Sequence, residues 1–263
     1  MTQKKVTRVE GGENENSGNN AAGFTPTDEA RSRAKQLRIF AIIAWIAAMG
    51  VQAYLIFGIL MKPPVNMTFL IIGIVVDLIL AVTGSYLWKK SNRLDPASKK
   101  EPVKFFVQNQ LGAILGVLAF LPLVIMIFMN KDMDGKQKGI AGVIAIAALL
   151  IAGVTGVDFN PPSVEEYAEQ TQMVERLNEG RNFVYWTKAG TRYHLYSDCS
   201  YINTTRTDEI FEGTVAQARE LKNISQLCSR CQRQAMEERN ISEEDLNAPA
   251  EEPATEEEPV FQE

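Results

Sequence analysis

Residues Leu111–Met129 read LGAILGVLAFLPLVIMIFM, nineteen positions without one charged side chain. A hydrocarbon core of about 30 Å takes about 20 helical residues to cross, so this run alone is nearly long enough to span a bilayer. It is the centre of a segment from Phe105 to Met129. Three more apolar segments surround it in the chain: Ile39–Met61, Met67–Trp88 and Gly139–Val157. Four such lengths in succession are more than the buried helices of a soluble domain require. The expectation is a mainly α membrane protein, with a four-helix transmembrane bundle over 38–158.

The ends of these segments carry the signals of an interface. Tyr86 and Trp88 close the second span, where amphipathic rings favour the headgroup level. The first two spans are joined through Lys62-Pro63-Pro64, which suits a tight reversal. Lys and Arg are unevenly divided between the two sides. Arg31, Arg33, Lys35 and Arg38 precede span 1, and Lys89, Lys90, Arg93, Lys99, Lys100 and Lys104 lie between spans 2 and 3. The opposite loops hold only Lys62, Lys131, Lys136 and Lys138. The excess of positive charge marks the cytoplasmic side, so both termini are expected there. The first apolar run starts about forty residues in and is too long for the apolar core of a cleavable signal peptide.

Polar residues inside the spans are few. Asp77 lies near the middle of span 2, at a cost of about 2.5–3.5 kcal/mol on insertion scales. Gln52 in span 1 is at similar depth. The two are expected to form a polar clasp between helices, with a neutral Asp77 donating to Gln52. The alternative is a proton or ion path through Asp77. Gly112-x3-Gly116 in span 3 and Ala148-x3-Ala152-x3-Gly156 in span 4 are small-residue stripes that let helix backbones approach. Contacts inside one bundle and contacts with a second copy of the chain explain them equally well.

Outside the spans the chain changes character. Residues 1–37 and 239–263 are read as disordered, the first for its Gly/Asn/Glu-rich run at 11–20, the second for its many Glu and its prolines. Ser163 and Glu166 have the spacing of a capping box that opens a linker helix over 163–180. Thr214 and Gln217 repeat that spacing at a second helix, with Val215, Ala218 and Leu221 on its buried face. Between the two helices, Phe183–Thr187 and Arg192–Tyr196 read as the strands of a hairpin turning at Lys188–Thr191. Strand alternation would place His194 on one face with Arg192 and Tyr196.

The chain has three cysteines and one histidine in 263 residues, and all four fall between positions 194 and 231. They are His194, Cys199, Cys228 and Cys231, in the pattern H-x4-C-x28-C-x2-C. Three thiolates and an imidazole are a standard tetrahedral set for structural zinc. Residues 181–238 are therefore expected to be a small α+β zinc-binding domain. So short a chain buries too little surface to be comfortably stable alone. Metal binding worth about 10–16 kcal/mol would decide whether it folds. Reduced thiols agree with the cytoplasmic side given by the charge count. Three cysteines cannot all pair within one chain, which argues against a secreted disulfide scaffold.

Val184-Tyr185-Trp186-Thr187, then Tyr193-His194-Leu195, Cys199, a capped helix and Cys228-Ser229-Arg230-Cys231 together resemble a known module. It is similar to the small zinc-binding domain of the bacterial Ada methyltransferase, versions of which are appended to bacterial membrane proteins and nucleases. The resemblance covers residues 183–232 and does not extend to the spans. It implies a zinc cofactor held by these four residues. In Ada itself all four ligands are cysteines, and one accepts a methyl group from DNA. With His194 in the first position the site loses a negative charge and a strong sulfur nucleophile, so the methyl-acceptor role is not carried over.

These readings converge on binding rather than catalysis. There is no nucleophile–base pair, phosphate loop or open metal position, and the chain is not expected to be an enzyme. A net charge of −5 and mixed charges in the zinc module give no field for nucleic acid. The leading expectation is a multi-pass membrane protein whose cytoplasmic zinc module recruits or positions a protein partner. Its rivals are a small-solute or proton transporter using Asp77, with the zinc module as regulator, and a metal or redox sensor acting through Cys228 and Cys231. Candidate partners are the lipid bilayer, a cytosolic protein and a second copy of the chain.

Overall fold

The computed structural model describes residues 5–9, 26–222 and 224–247. The chain divides into two compact units. One runs from Pro26 to Ser163, and the other combines the N-terminal segment with everything from Val164 onward.

The first unit is the helical bundle. α1 (Asp28–Tyr54) continues into a wider π-helical stretch, Leu55–Leu60, and is followed by α2 (Met67–Leu94), α3 (Pro102–Met129) and α4 (Gly135–Gly156). All four are long and apolar enough to cross a membrane. α1 starts well before the expected span, because Thr27 caps it: the Thr27 hydroxyl accepts from Ala30 N–H at 3.1 Å, and Asp28 and Glu29 favour the positive end of the helix dipole. Residues 28–37, expected to be disordered, are therefore helical. α2 is likewise longer than its apolar run and ends at Leu94, past Trp88. At α4 a complete capping box forms between Asp134 and Gln137.

The interior of this unit mixes large apolar side chains, among them Leu55, Leu70, Ile74, Phe120, Leu123 and Ile127, with many small residues. Ala41, Ala48, Ala81, Ala119, Ala141, Ala145, Ala148 and Ala152 are buried, while Ile39, Phe40, Ile46, Phe69, Ile79, Val143 and Val154 are exposed. The two stripes read from the sequence face each other within the bundle. A Cβ placed on Gly116 would lie 3.0 Å from the Ala152 carbonyl oxygen, and one on Gly156 would lie 2.5 Å from Ala113 N. α3 and α4 approach so closely that Gly112, Gly116 and Gly156 leave no room for a Cβ and the seam admits nothing larger than the alanine methyl.

One end of the bundle is tied by polar contacts. Arg38 Nη1 donates to Asp95 Oδ2 at 2.7 Å, and its guanidinium lies 5.8 Å from the Trp88 ring. Trp88 Nε1 and Asn92 Nδ2 both donate to the Gln108 carbonyl, at 2.7 and 2.9 Å. Lys89 Nζ donates to the Val157 carbonyl at 3.0 Å, which ties the last turn of α2 to the chain leaving α4. Of the acceptors, only the Val157 carbonyl lies at the C-terminal end of its helix, where carbonyls lack a partner within the helix.

The second unit is a three-stranded sheet with helices. α5 (Val164–Leu177) precedes β2 (Val184–Thr187), β3 (Glu209–Gly213), α6 (Val215–Lys222), α7 (Ser229–Arg239) and α8 (Glu243–Asn247). The third strand, β1 (Lys5–Arg8), comes from the N-terminus, and the spatial order is β1-β3-β2. β2 pairs antiparallel with β3 and β1 pairs parallel with it. The disorder expected over 1–37 fails at residues 5–9 too, while residues 1–4 and 10–25 lie outside the described residues. The acidic tail is corrected in the same way as far as Asn247, since Ser242 caps α8 through Asp245. Residues 248–263 are not described.

The expected hairpin also changes. Residues 192–196 form only one antiparallel bridge, Tyr185 with His194, and the main partner of β2 is β3. The core joins Trp186, Tyr193, Ile210, Val215, Ala218 and Ile224. Trp186 and Phe211 stack with centroids 6.3 Å apart. Gly213 is required where β3 ends, because a Cβ there would lie 2.8 Å from the Trp186 ring. The Thr214–Gln217 capping box forms in both directions, at 2.9 and 3.2 Å. Leu221, placed by helical spacing on the buried face of α6, is exposed. Arg219 is buried instead, donating to the Tyr167 carbonyl at 2.9 Å and to Gln170 Oε1 at 3.1 Å, with its guanidinium 4.2 Å from the Tyr167 ring. It pins α5 to α6.

Candidate metal centre

Three separate pieces of backbone bring the four donors together. His194 is fixed by its bridge, in which Tyr185 N–H donates to His194 O and His194 N–H donates to Tyr185 O, both at 2.7 Å. The residue before it makes a second bridge on the other side. Tyr193 N–H donates to Gln226 O at 3.0 Å, and Cys228 N–H donates to Tyr193 O at 2.9 Å. Residues 193 and 194 thus stitch β2 to the segment that enters α7. Strand alternation does not hold through this piece, and Tyr193, His194 and Leu195 are all buried.

Cys228 is the cap residue of α7, and Cys231 lies in its first turn. A C-x2-C pair at a helix start sets two sulfurs side by side with no help from tertiary packing. Cys199 comes from a turn closed by Ile202 N–H and Asn203 N–H, which donate to its carbonyl at 2.9 and 2.8 Å. The far end of α7 is held as well: Tyr196 donates to Glu238 Oε2 at 2.6 Å, and Arg239 Nη1 donates to Tyr196 at 3.0 Å.

The result is one cluster. A ligand atom from each of His194, Cys199, Cys228 and Cys231 lies within 4.8 Å of the other three, and all four residues are buried. His194 Nδ1 is 3.6 Å from Cys231 Sγ. Donors at tetrahedral corners around a zinc-sized ion are about 3.5–3.8 Å apart. The cysteines are free thiols. A metal ion fits this set, and zinc is consistent with it.

The electrostatics of the cluster point the same way. Burial lowers the His194 pKa to about 4, helped by the positive charge of Arg192, so the imidazole is neutral and its lone pair is free to ligate. Burial pushes the Cys231 thiol well above its usual range, while a hydrogen bond from the Leu195 backbone works against this. A thiolate is thus costly here without a cation beside it. A bound divalent ion supplies that charge and inverts the local preference, as coordinating thiols are deprotonated outright. A groove lined by Gly190, Thr191, Arg192, Tyr201 and Ser229 also includes His194 and Cys228.

Asp77 and Gln52 behave differently from expectation. Both are buried, but Gln52 Nε2 donates to the Leu118 carbonyl at 3.3 Å. Both Asp77 carboxyl oxygens are buried without a hydrogen-bond partner among the described residues. The clasp is not formed: the Gln52 amide donates to a backbone carbonyl of α3, and Asp77 makes no hydrogen bond to Gln52 among the described residues. β3 and Arg219 went unread in the sequence. A charged residue at a helical-core spacing, two residues after Gln217, was the only signal for the second.

No protein-family model matches the chain, and neither a curated protein nor a solved structure matches it. The fold and the donor cluster stand on their own geometry.

Proposed function

We propose that this chain is a membrane-anchored zinc module that recruits or positions a protein partner at the cytoplasmic face. The observation that carries this reading is the buried, converging Cys3His set. Four protein donors close a tetrahedral shell and leave no position for substrate, which is the arrangement of structural zinc. The module is accordingly non-catalytic and Ada-like in its ligand order. The positive residues before α1 and between α2 and α3 support a cytoplasmic location for both termini. The test is metal analysis of the purified full chain followed by affinity capture with and without a chelator. About one zinc per chain and a captured protein lost on chelation are expected. A well-folded chain without metal would overturn the reading.

A second reading is favoured by Asp77, whose unpartnered carboxyl group sits inside the bundle. Such a residue marks an ion or proton route by default. Proton or solute uptake by reconstituted vesicles that is lost in Asp77→Asn and kept in Cys231→Ser would establish transport.

A further inference from the structure

The outer edge of the sheet is filled by a segment from the far end of the chain. β1 lies on β3 in the register Lys5–Glu209, Val6–Ile210, Thr7–Phe211 and Arg8–Glu212. The match is chemical as well as geometric. Lys5 Nζ lies 3.5 Å from Glu209 Oε1, and the Thr7 hydroxyl donates to that same oxygen. Arg8 lies 5.3 Å from the Phe183 ring. Val9 N–H extends the ladder, donating to Glu212 O at 2.9 Å. A basic strand is thus seated beside the two carboxylates of β3.

The hold is light. Val6, the apolar residue within the strand, is 45% exposed, and Val9 just beyond it is the one apolar contact to the core, only partly buried, so little surface leaves water when β1 docks. Parallel pairs are slightly weaker per residue than antiparallel ones. The ion pair is exposed and screened by salt. β2, by contrast, holds β3 from the other side through the buried Val184 and Trp186. Removing β1 would leave a formed β2–β3 pair with an open, acidic edge, and open edges pair with extended peptides.

We propose that the outer edge of β3 is a docking site for an extended basic peptide strand, kept filled in cis by Lys5–Arg8 and opened when that strand is displaced. The incoming segment carries the chemistry of β1, with a cation opposite Glu209, a hydroxyl two residues on and a second cation opposite Glu212. This names the partner class for the recruiting role proposed above and rests on it. A tethered strand competes at a high effective concentration, so the cis segment sets a threshold that a partner must exceed.

The probe is a labelled peptide with the sequence of residues 2–10, added to the full chain in detergent micelles. Adjacent residues of a strand point their N–H groups to opposite sides, so the double change Val6→Pro and Thr7→Pro removes the bonded donor in either phase. The peptide should bind this variant at least tenfold more tightly than the parent. Binding should weaken with salt and fall at least tenfold when Glu209→Lys is added. No binding by a variant that keeps its metal, or equal binding by variant and parent, overturns the proposal. Hydrogen exchange on the unaltered chain decides the case if the variant loses metal. Residues 5–9 should exchange faster than 184–187, and excess peptide should speed them further. Equal protection of the two strands, or no response to peptide, refutes the exchange. A parent chain without metal would instead refute the zinc module, so the two failures are told apart.

Discussion

The two units both bury large apolar side chains and differ in the surface they show. The bundle buries Leu55, Leu70, Ile74, Phe120 and Leu123 together with a run of alanines, and also turns Ile39, Phe40, Phe69, Ile79 and Val143 outward. In the module, Trp186, Tyr193 and Ile210 are inside and the exposed surface is polar. The difference follows from the solvent each unit meets. Lipid tails are as apolar as leucine, so large apolar side chains can face outward on the bundle without cost, and close backbone approach at the α3–α4 seam adds packing that solvent exclusion does not supply. In water the burial of large apolar groups is the main driving force. In the proposed reading, a metal held by His194, Cys199, Cys228 and Cys231 would add to this small module's apolar core.

The largest effect that would test this contrast is loss of a metal ligand. Cys231→Ser should unfold the region 183–239 and leave the bundle intact, seen as protease cleavage confined to the module in membranes. A chelator should do the same to the parent. His194→Cys keeps four donors and should keep the metal. Protection of 183–239 in Cys231→Ser equal to the parent would show that apolar packing alone folds the module.

Next in size is the seam of the bundle. Gly156→Ala puts a methyl group where the α3 backbone already stands, so the helices must separate at a cost of up to about 3 kcal/mol. A lower thermal midpoint in detergent with unchanged metal content is expected. An unchanged midpoint would mean that the seam does not set bundle stability.

A smaller effect is expected at Asp77. Its carboxyl group has no partner to lose, so Asp77→Val should leave the bundle equally stable or gain about 1 kcal/mol. A marked loss of stability would reveal a partner that the bundle holds only in the bilayer.

The smallest effect concerns the β1 edge. The Thr7 hydroxyl and then Lys5 hold the Glu209 carboxyl below its usual 4.5. A depressed carboxylate stabilises the folded state above its unfolded pKa and loses that contribution as pH falls through the folded value. The hydrogen-exchange protection factors of residues 5–9, taken against the intrinsic exchange rate at each pH, should therefore be highest above about pH 4.5 and fall below it, while those of 184–187 change little. Parallel loss in both strands would show that β1 does not open by itself.

What the sequence revealed depended on how local the signal was. Leu111–Met129 announces a span by itself, and the rarity of Cys and His isolates all four donors without any structure. Helix caps at Thr214 and Asp134 act within one turn, and the first was readable for that reason. β3 was not: Glu209-Ile-Phe-Glu-Gly has two apolar residues and no strong alternation, and one partner strand lies about two hundred residues away. Tyr193-His194-Leu195 misled because its alternation was taken for one paired strand, when it bridges two segments and is buried on both sides. Gln52 and Asp77 are at matching depth, but depth does not decide between a carboxyl group and a backbone carbonyl.

The pairing of Lys5–Arg8 with Glu209–Glu212 also sets a rule of parity. One strand precedes the first long helix and the other follows the fourth. A sheet cannot form through a bilayer, so whatever membrane these helices cross must be crossed an even number of times between the two strands. Deleting one helix, or turning one into a re-entrant segment, would strand the two halves of the sheet on opposite faces. A change far from the sheet would then abolish it without touching any residue in it.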